Sequence, residues 1–293
     1  MPRAASVSAR FRRVVWAHYA KHGRHDLPWR FTRPLPTGRQ AYKILVSEVM
    51  LQQTQVERVK PHYEAFLKKY PTARRLAAAP LSDVLKAWQG LGYNRRAKML
   101  HAAAKQLGKS DFPKIVAELE QLPGVGKYTA RAVAVFAFSR DEILIETNIR
   151  TAVLHHFFPR GRRRTVGNTI IYDSVSDSQI EEVLQSVRPK VRAKIGVREW
   201  NWALMDYGAF LKQSGVKLNA KSKHYTKQSK FSGSLREARG AILKELAKGS
   251  ASKKRLLGLL GDDRVGQLTR ALEALTQEGF IVKEGSAFGL SGE

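Results

Sequence analysis

The residues around 122–131 present backbone chemistry that suits an anion. The segment Leu-Pro-Gly-Val-Gly-Lys-Tyr-Thr-Ala-Arg places a proline and two glycines just before a helix-like run. Such a turn exposes successive backbone N–H groups and opens a helix N-terminus, and both features favour a phosphate. Lys127 would add a point charge. The same residues would also make an ordinary tight turn between two helices, and the segment alone does not decide between these readings.

The elements that must position this turn are predicted to be helices. Strand-like runs are scarce before the C-terminus, so the predicted fold class is all-α, built from several short helices. Apolar residues recur near helical spacing in four runs, Val46–Phe66, Leu81–Trp88, Arg95–Leu107 and Ile115–Leu122.

The character of the chain changes near residue 232. Segment 214–231 is polar and rich in lysine, and helical patterns then occupy roughly 235–248, 251–260 and 264–278. The final GFIVKEGSAFGL predicts a β-hairpin that turns at Glu284-Gly285. Three helices followed by a hairpin are typical of a winged helix, which could serve DNA contact or protein docking equally well.

We therefore expect three parts. Residues 1–213 form the helical body, 214–231 a basic loop, and 232–293 a small winged-helix-like domain.

The charge of the chain indicates a nucleic-acid partner. There are 52 Lys+Arg against 25 Asp+Glu among 293 residues, a formal charge of +27. Residues 232–293 hold ten Lys or Arg and eight Asp or Glu, so +25 of this charge lies on residues 1–231. A field of this size raises the affinity and encounter rate for nucleic acid.

Other classes of protein fit the sequence less well. No apolar run approaches the ~20 residues that span a bilayer, so no membrane partner is expected. The absence of cysteine excludes disulfides and any cysteine-ligated iron–sulfur cluster. We expect a cytoplasmic, monomeric, nucleic-acid-binding protein that carries no cofactor.

Five motifs give the chain a resemblance to a known family. A helix, a hairpin, a second helix and then a carboxylate at the next helix start are the layout of helix-hairpin-helix DNA glycosylases. The chain resembles the MutY-type adenine glycosylases among them over roughly residues 10–212. The motifs are, in chain order, LPWR (27–30), SEVMLQQTQV (47–56), GLGY (90–93), LPGVG (122–126) and MDYGA (205–209).

The resemblance implies hydrolysis of an N-glycosidic bond after a nucleotide is flipped from double-stranded DNA. Glu48 would protonate the leaving purine at N7. Glu146, with Asn148 two residues later, would stabilise positive charge on the sugar and position water, in the two-carboxylate logic of glycosidases. The apolar neighbours of Glu48 predict a raised pKa for its carboxyl group.

Tyr128 falls at a position near the nucleotide in the same family. The bifunctional endonuclease III branch carries its lysine nucleophile there, so the resemblance implies a monofunctional enzyme.

Further residues take family positions at the base pocket and along the DNA. Trp29, Arg30 and Trp202 would line the pocket, and Gln53 and Tyr93, with Gln52 beside them, would probe the base stack. The other predicted DNA contacts are Gly124, Gly126, Lys127, Lys221, Lys223, Tyr225, Lys227 and Lys230. The family hairpin often holds a monovalent cation, here through the carbonyls of Leu122 and Val125.

The chain departs from the family pattern at four points. The four cysteines of the family's [4Fe–4S] loop are replaced by the lysine-rich segment 217–230, which could keep a DNA contact or be a disordered linker. Glu146 stands where the family has aspartate. Trp202 stands where the resemblance implies a polar Glu or Gln, and residues 214–293 do not resemble the Nudix-like domain that helps the family to recognise 8-oxoguanine.

Three functions remain open from the sequence. The chain could excise adenine opposite 8-oxoguanine or guanine. It could instead excise a different base, such as mismatched thymine, uracil or hypoxanthine. As a third possibility, it could be a non-catalytic protein that binds mismatched or damaged DNA.

Overall fold

The computed structural model describes residues 2–30, 37–108, 111–160, 162–166, 169–188, 196–223 and 230–292. Its helices are α1 (Pro2–His22), α2 (Thr37–Leu51), α3 (Val56–Lys69), α4 (Ala73–Ala77), α5 (Leu81–Ala87), α6 (Arg95–Leu107), α7 (Val116–Leu119), α8 (Lys127–Phe138), α9 (Thr147–Phe157), α10 (Asp177–Val187), α11 (Val197–Gln213), α12 (Leu235–Leu246), α13 (Lys253–Leu260) and α14 (Val265–Gln277). Its strands are β1 (Arg162–Val166), β2 (Thr169–Asp173), β3 (Ala251–Ser252), β4 (Ile281–Glu284) and β5 (Ala287–Leu290).

The predicted fold class is confirmed, since helices dominate the chain and a small sheet closes its C-terminal part. Among the described residues, no helix combines the length and the apolar character needed to cross a membrane.

Contacts divide the chain into two compact units, each built from three chain segments. Unit 1 comprises Met1–Thr32, Lys114–Ala117 and Gly126–Lys227, and unit 2 comprises Arg33–Pro113, Glu118–Val125 and Gln228–Glu293. The domain boundaries expected at residues 213 and 231 are not tested by this division and stay a prediction.

Unit 1 is organised around α11, which packs against α9 and α1. The rings of Phe11 and Trp200 meet edge to face at 6.3 Å within this core. Gly208 of α11 lies directly against the start of α9, because a Cβ built there would come within 1.9 Å of the Asn148 carbonyl oxygen. Only glycine permits this distance between the two backbones.

Unit 1 also contains a β-hairpin that the sequence analysis did not predict. Strands β1 and β2 pair antiparallel, with Arg162 opposite Asp173 and Val166 opposite Thr169. The expectation of few strands before the C-terminus therefore missed an element, whose signal is the β-branched and aromatic run Thr169–Tyr172.

In unit 2, the apolar pattern from Val46 to Phe66 is interrupted rather than continuous. Helix α2 ends at Leu51 and α3 begins at Val56. Gln53, in the turn between them, has a φ of 55°, a left-handed conformation that no helix accommodates. Periodicity alone missed this turn because apolar residues continue in register on both sides of it.

The C-terminal part of unit 2 confirms the predicted three helices and hairpin. Helices α12, α13 and α14 precede strands β4 and β5, and the hairpin turns at Gly285, whose φ is 59°. The short strand β3 adds a third partner, which gives the sheet order β3-β5-β4. The side chain of Ser234 caps α12 by accepting a hydrogen bond from the Glu237 amide at 3.2 Å.

Candidate active site

Glu48 lies on the buried side of α2 in unit 2. The residue is 8 % exposed, and its neighbours Val46, Val49 and Met50 are also buried. The predicted acid is therefore buried next to apolar residues of its own helix, and its role as an acid stays a prediction.

Arg96 of α6 joins the end of α2 to the turns that follow it. Its Nη1 donates to the carbonyls of Val49, Met50 and Gln52 at 2.6–2.8 Å. Its Nη2 donates to Leu91 O and Gly92 O, both at 3.1 Å. One guanidinium group therefore links the end of α2, the helix of Glu48, to the turn after α2 and to the turn before α6.

These two turns carry the residues predicted to probe the base stack. Gln53 has a φ of 55° and Tyr93 a φ of 47°, and both are left-handed conformations that are costly for residues other than glycine. Gln52, Gln53 and Tyr93 line the same groove of unit 2. The structure therefore brings the three predicted residues together in backbone conformations that Arg96 helps to hold.

The two hairpin glycines have different surroundings. Gly124 has a φ of 75°, and a Cβ built there would lie 2.5 Å from the Met99 Cβ of α6, so this position requires glycine although it is exposed. At Gly126, which precedes α8, an added Cβ would meet no described residue within 4 Å. The backbone of both hairpin glycines is therefore exposed, and contact with a neighbouring helix demands a glycine only at Gly124.

The start of α8 keeps the features predicted for an anion site. Gly126 is the N-cap residue of α8 and has no side chain that could cap the helix. In the first turn of the helix, Lys127 is exposed and Tyr128 is half-buried. Leu122 and Val125 are buried, and Leu122 O accepts a hydrogen bond from the Val125 amide at 3.0 Å. Cation binding at these carbonyls stays a prediction.

Glu146 is the N-cap of α9 in unit 1. Its Oε1 accepts hydrogen bonds from the amides of Asn148 and Ile149, both at 2.8 Å. Aspartate and asparagine are commoner than glutamate at such positions, and here the longer side chain folds back onto the helix. Both hydrogen bonds go to Oε1, and neither involves the second carboxylate oxygen, Oε2.

Asn148 does not bond Glu146 through its side chain. Its backbone amide makes that contact, and its Oδ1 instead accepts from Nζ of Lys212 at 3.3 Å. The sequence analysis did not identify Lys212, which lies in the last turn of α11.

Burial raises the pKa of Glu146 above its ordinary value. The two amide hydrogen bonds and the charges of Lys212 and Arg150 oppose this effect without cancelling it. The carboxyl group of Glu146 is therefore held by two amides in a place where burial penalises its charged form.

The predicted pocket residues Arg30 and Trp202 meet in unit 1. The guanidinium of Arg30 forms a two-pronged bond to Asp206 at 2.7 and 2.8 Å, with side chains 4 % and 1 % exposed. Burial would raise the pKa of Asp206, but Arg30 and Arg24 outweigh it and hold that pKa below its ordinary value. This buried pair fixes the chain after α1 onto α11.

Trp202 is packed inside the protein, as is Trp29. The Trp202 ring stacks on Phe136 at 5.6 Å with 10° between the planes, and the Arg30 guanidinium lies 5.4 Å from its centroid. A base could stack on Trp202 only at a face that Phe136 does not cover.

Residues 214–223 of the basic loop are among those that the structure describes. Val175 and Ser222 form a parallel bridge, and Lys221 donates through Nζ to the carbonyl of Pro159. Lys223 and Lys230 are exposed. Tyr225 and Lys227 lie outside the described residues.

The loop does not fit the family's iron–sulfur cluster. Residues 214–231 contain no cysteine, so thiolate ligands are absent. Among the residues that the structure describes, no group of three or more His, Asp or Glu side chains is placed to hold a metal ion.

Sequence reasoning missed Arg96 and Lys212. Arg96 lies three residues after Tyr93, a spacing that returns a helical side chain to the turn before it. Lys212 lies four residues after Gly208, on the face of α11 that meets α9, and the MDYGA motif could have pointed to it.

Comparison with known proteins places this geometry in a family. Residues 46–190, about half of the chain, match the model of the HhH-GPD superfamily base excision DNA repair proteins. A curated adenine DNA glycosylase from Mycolicibacterium smegmatis is 49% identical over 136 residues, covering 45% of this chain and 44% of that protein. One from Buchnera aphidicola subsp. Baizongia pistaciae is 32% identical over 199 residues, covering 67% and 50%. The chain thus spans about half the length of these relatives.

A solved structure supports the fold. The chain is similar to a thermostable thymine-DNA glycosylase with a TM-score of 0.56 and 23% identity, covering 75% of this chain and 97% of that one. The family match, the curated relatives and the shared fold agree, and the chain belongs to the HhH-GPD superfamily of base excision DNA repair proteins.

Proposed function

We propose that this protein is a monofunctional DNA glycosylase that excises adenine mispaired with 8-oxoguanine or guanine in double-stranded DNA. The curated relatives named adenine DNA glycosylase support the base, and the charge of +27 supports the polyanionic partner. The observation that carries the chemistry is the Glu146 carboxylate, held at the start of α9 by two amides at 2.8 Å.

In this mechanism Glu48 is the acid. A proton given to N7 of the flipped adenine makes the base a better leaving group, and its glycosidic bond to the sugar breaks. Glu48 is buried on α2, and this step needs its carboxyl group in the protonated form. Burial also keeps bulk water from taking the proton first.

Glu146 acts on the sugar. Loss of the base leaves positive charge on the ring, and a fixed carboxylate stabilises that charge without having to reorganise. Its second oxygen can then orient the water that attacks the anomeric carbon and accept the proton that this water loses, with Asn148 beside it. The product is an abasic site, and Tyr128 supplies no amine that would carry the reaction on to strand cleavage.

Excision on a panel of duplexes tests the proposal. The protein is incubated with A:8-oxoguanine, A:G, T:G, U:G and hypoxanthine:T duplexes, and abasic sites are then cleaved with alkali. We expect cleavage of the adenine-containing strands alone. Cleavage at another base would replace adenine as the substrate, and tight binding without product from any duplex would overturn the enzymatic proposal.

Glu48→Gln tests the acid. The amide keeps the size of the side chain but has no acidic proton, so we expect excision to fall by about 10²–10⁴-fold. Affinity for a duplex with a non-hydrolysable adenine analogue should stay within a few-fold of the unmodified protein. A large loss of that affinity would mean that Glu48 has a structural role instead.

A further inference from the structure

The chain that follows α11 returns to α9, the helix whose N-cap residue is Glu146. Residues 218–223, which we call the clasp, contain the short 3-10 helix Asn219–Lys221, and this helix packs against α9. The clasp, α9 and α11 all belong to unit 1. The chemistry proposed for Glu48 and Glu146 does not use the clasp.

Asn219 joins the clasp to the second turn of α9. Its Oδ1 accepts a hydrogen bond at 3.1 Å from Oγ1 of Thr151, a residue that is fully buried. The same hydroxyl donates to the carbonyl of Thr147 at 2.8 Å, so its single hydrogen is shared between two acceptors. Thr147 is the first residue of α9 and directly follows Glu146. A line of hydrogen bonds therefore runs from the clasp to the residue next to the candidate carboxylate.

Main-chain hydrogen bonds hold the clasp on its other side. The Val175 amide donates to the Lys221 carbonyl at 2.8 Å, and the Lys223 amide donates to the Val175 carbonyl at 3.0 Å. These bonds make the parallel bridge between Val175 and Ser222, and both of these residues are buried. The backbone on both sides of the bridge is therefore fixed, and it presents Asn219 to α9 from a defined position.

The bridge also holds the chain just before α10, which makes a second contact with α9. Val175 lies two residues before Asp177, in the first turn of α10. Nη2 of Arg150, on α9, donates to both carboxylate oxygens of Asp177, at 2.8 and 2.9 Å. The charge of Arg150 is one of those that lower the pKa of Glu146. The clasp therefore reaches α9 by a second, indirect route.

We propose that Asn219 is a positioning residue for the glycosylase reaction, and that it sets the placement of the Glu146 carboxylate by fixing α9 through Thr151. The inference rests on the proposed function, in which Glu146 acts on the sugar. A misplacement of about 1 Å can cost a catalytic group about 10²-fold in rate, so a small shift of α9 is enough. Residues 218–223, for which the sequence left a DNA contact or a disordered linker open, thereby acquire a role inside the protein.

Hydrogen exchange at the start of α9 tests the positioning without requiring activity. The amides of Asn148 and Ile149 donate to Glu146 Oε1, so their exchange rates report on the contact that holds the carboxylate. In Asn219→Ala both amides should exchange on the order of tenfold faster, while amides in the middle of α11 keep their rates. Ser214→Ala is the matched control, because it alters an exposed side chain between α11 and the clasp.

Single-turnover excision is the second readout. We expect Asn219→Ala to lower the excision rate by about 10- to 100-fold and to keep its affinity for an uncleavable duplex within a few-fold. Asn219→Asp retains an oxygen that accepts from Thr151, so it should restore most of the rate and of the amide protection. Thr151→Val removes the hydroxyl from the other side of the contact, and its effect should be non-additive with that of Asn219→Ala.

The outcomes separate positioning from other roles of Asn219. Unchanged exchange at Asn148 and Ile149 in Asn219→Ala would overturn the proposal, as would additive effects of the two substitutions. Exchange that rises equally throughout unit 1 would mean that Asn219 only stabilises the fold. A loss of duplex affinity at an unchanged excision rate would make Asn219 a DNA contact instead. Either of these results would also overturn the positioning role.

Two further results keep the test decisive. If Asn219→Ala does not fold, Thr151→Val decides, because valine keeps the shape of the threonine side chain and removes only the hydroxyl. If the unmodified protein excises no base from any duplex, the proposed function fails. Faster exchange confined to the start of α9 would in that case still support the placement of Glu146 by Asn219.

Discussion

At the scale of the residue, Glu146 combines a structural role with a proposed chemical one. Its Oε1 caps α9, and burial raises the pKa of its carboxyl group above the ordinary value. A capping carboxylate alone would be an ordinary helix feature, worth about 1 kcal/mol. The two roles can be separated because a glutamine side chain accepts the same amide hydrogen bonds without the charge.

Glu146→Gln should therefore fold normally and excise poorly. We expect an unfolding temperature close to that of the unmodified protein and a single-turnover excision rate lower by about 10²–10³-fold, as for loss of an electrostatic stabiliser. Glu146→Ala, the comparison variant, should lose both the cap and the rate. Excision by Glu146→Gln at the unmodified rate would leave the residue with the capping role only.

Lys212 should set the acid limb of the pH profile. Glu146 must be an anion to act, so excision falls as the pH drops through its raised pKa. The charge of Lys212 lowers that pKa, and its removal in Lys212→Met should raise the pKa further and move the acid limb to higher pH. Lys212→Arg should keep the limb in place. The measurement is the single-turnover rate against pH, and an unmoved limb in Lys212→Met would separate Lys212 from Glu146.

At the scale of the element, the register between α9 and α11 decides where Glu146 and Asn148 stand. Gly208 allows α11 to touch the backbone of Asn148, and Lys212, one turn later, reaches the Asn148 side chain. The start of α9 is thus held from two points on one face of α11.

Gly208→Ala should displace that start of α9. The added methyl would lie 1.9 Å from the Asn148 carbonyl oxygen, so one helix must move. We expect a loss of about 1–3 kcal/mol in the free energy of unfolding and about 10²-fold in the excision rate. Gly266→Ala in α14 is the control, since a Cβ there meets nothing within 4 Å. Equal behaviour of the two variants would contradict the close contact.

Most helices and the C-terminal hairpin turn could be predicted, whereas the turn between α2 and α3 could not. Helix α6 has the bounds read from its apolar spacing, and α8 follows the two hairpin glycines where a helix-like run was expected. The break at Gln53 was missed because apolar residues continue in register across it, and the hydrogen bonds from Arg96 that hold the end of α2 are long-range contacts that no local pattern encodes. The apolar spacing predicted a helix over Ile115–Leu122, but the structure has only the single turn α7 there, Val116–Leu119.

The residues of the candidate site could be predicted from the motifs, but their positions relative to one another could be predicted only in part. Motifs named Glu48, Glu146 and Asn148, and the structure adds the amide bonds that fix Glu146. Motifs also named Arg30 for the base pocket, but they did not indicate that Arg30 forms a buried ion pair with Asp206 of α11. That use of Arg30 depends on tertiary packing, and its role toward a base stays a prediction.

At the scale of the whole molecule, the charge of +27 sets the salt dependence of binding. Each phosphate neutralised by Lys or Arg releases counterions, so affinity for duplex DNA should fall by on the order of 10³-fold or more between about 50 and about 200 mM salt. The loss should be similar for mismatched and undamaged duplexes, measured by fluorescence anisotropy. Affinity that is independent of salt would contradict binding through contacts between Lys or Arg and the DNA phosphates.

The interleaving of the two units has a consequence for biosynthesis. Unit 1 is complete once residue 227 has been made, whereas unit 2 begins at Arg33 and needs the segment from Gln228 onward. Helices α2 to α6 are therefore translated long before α12, their partner at Tyr93, emerges from the ribosome. The first-made part of unit 2 therefore lacks its C-terminal partner until the segment from Gln228 has been synthesised, and an incomplete unit of this kind exposes apolar surface that favours aggregation.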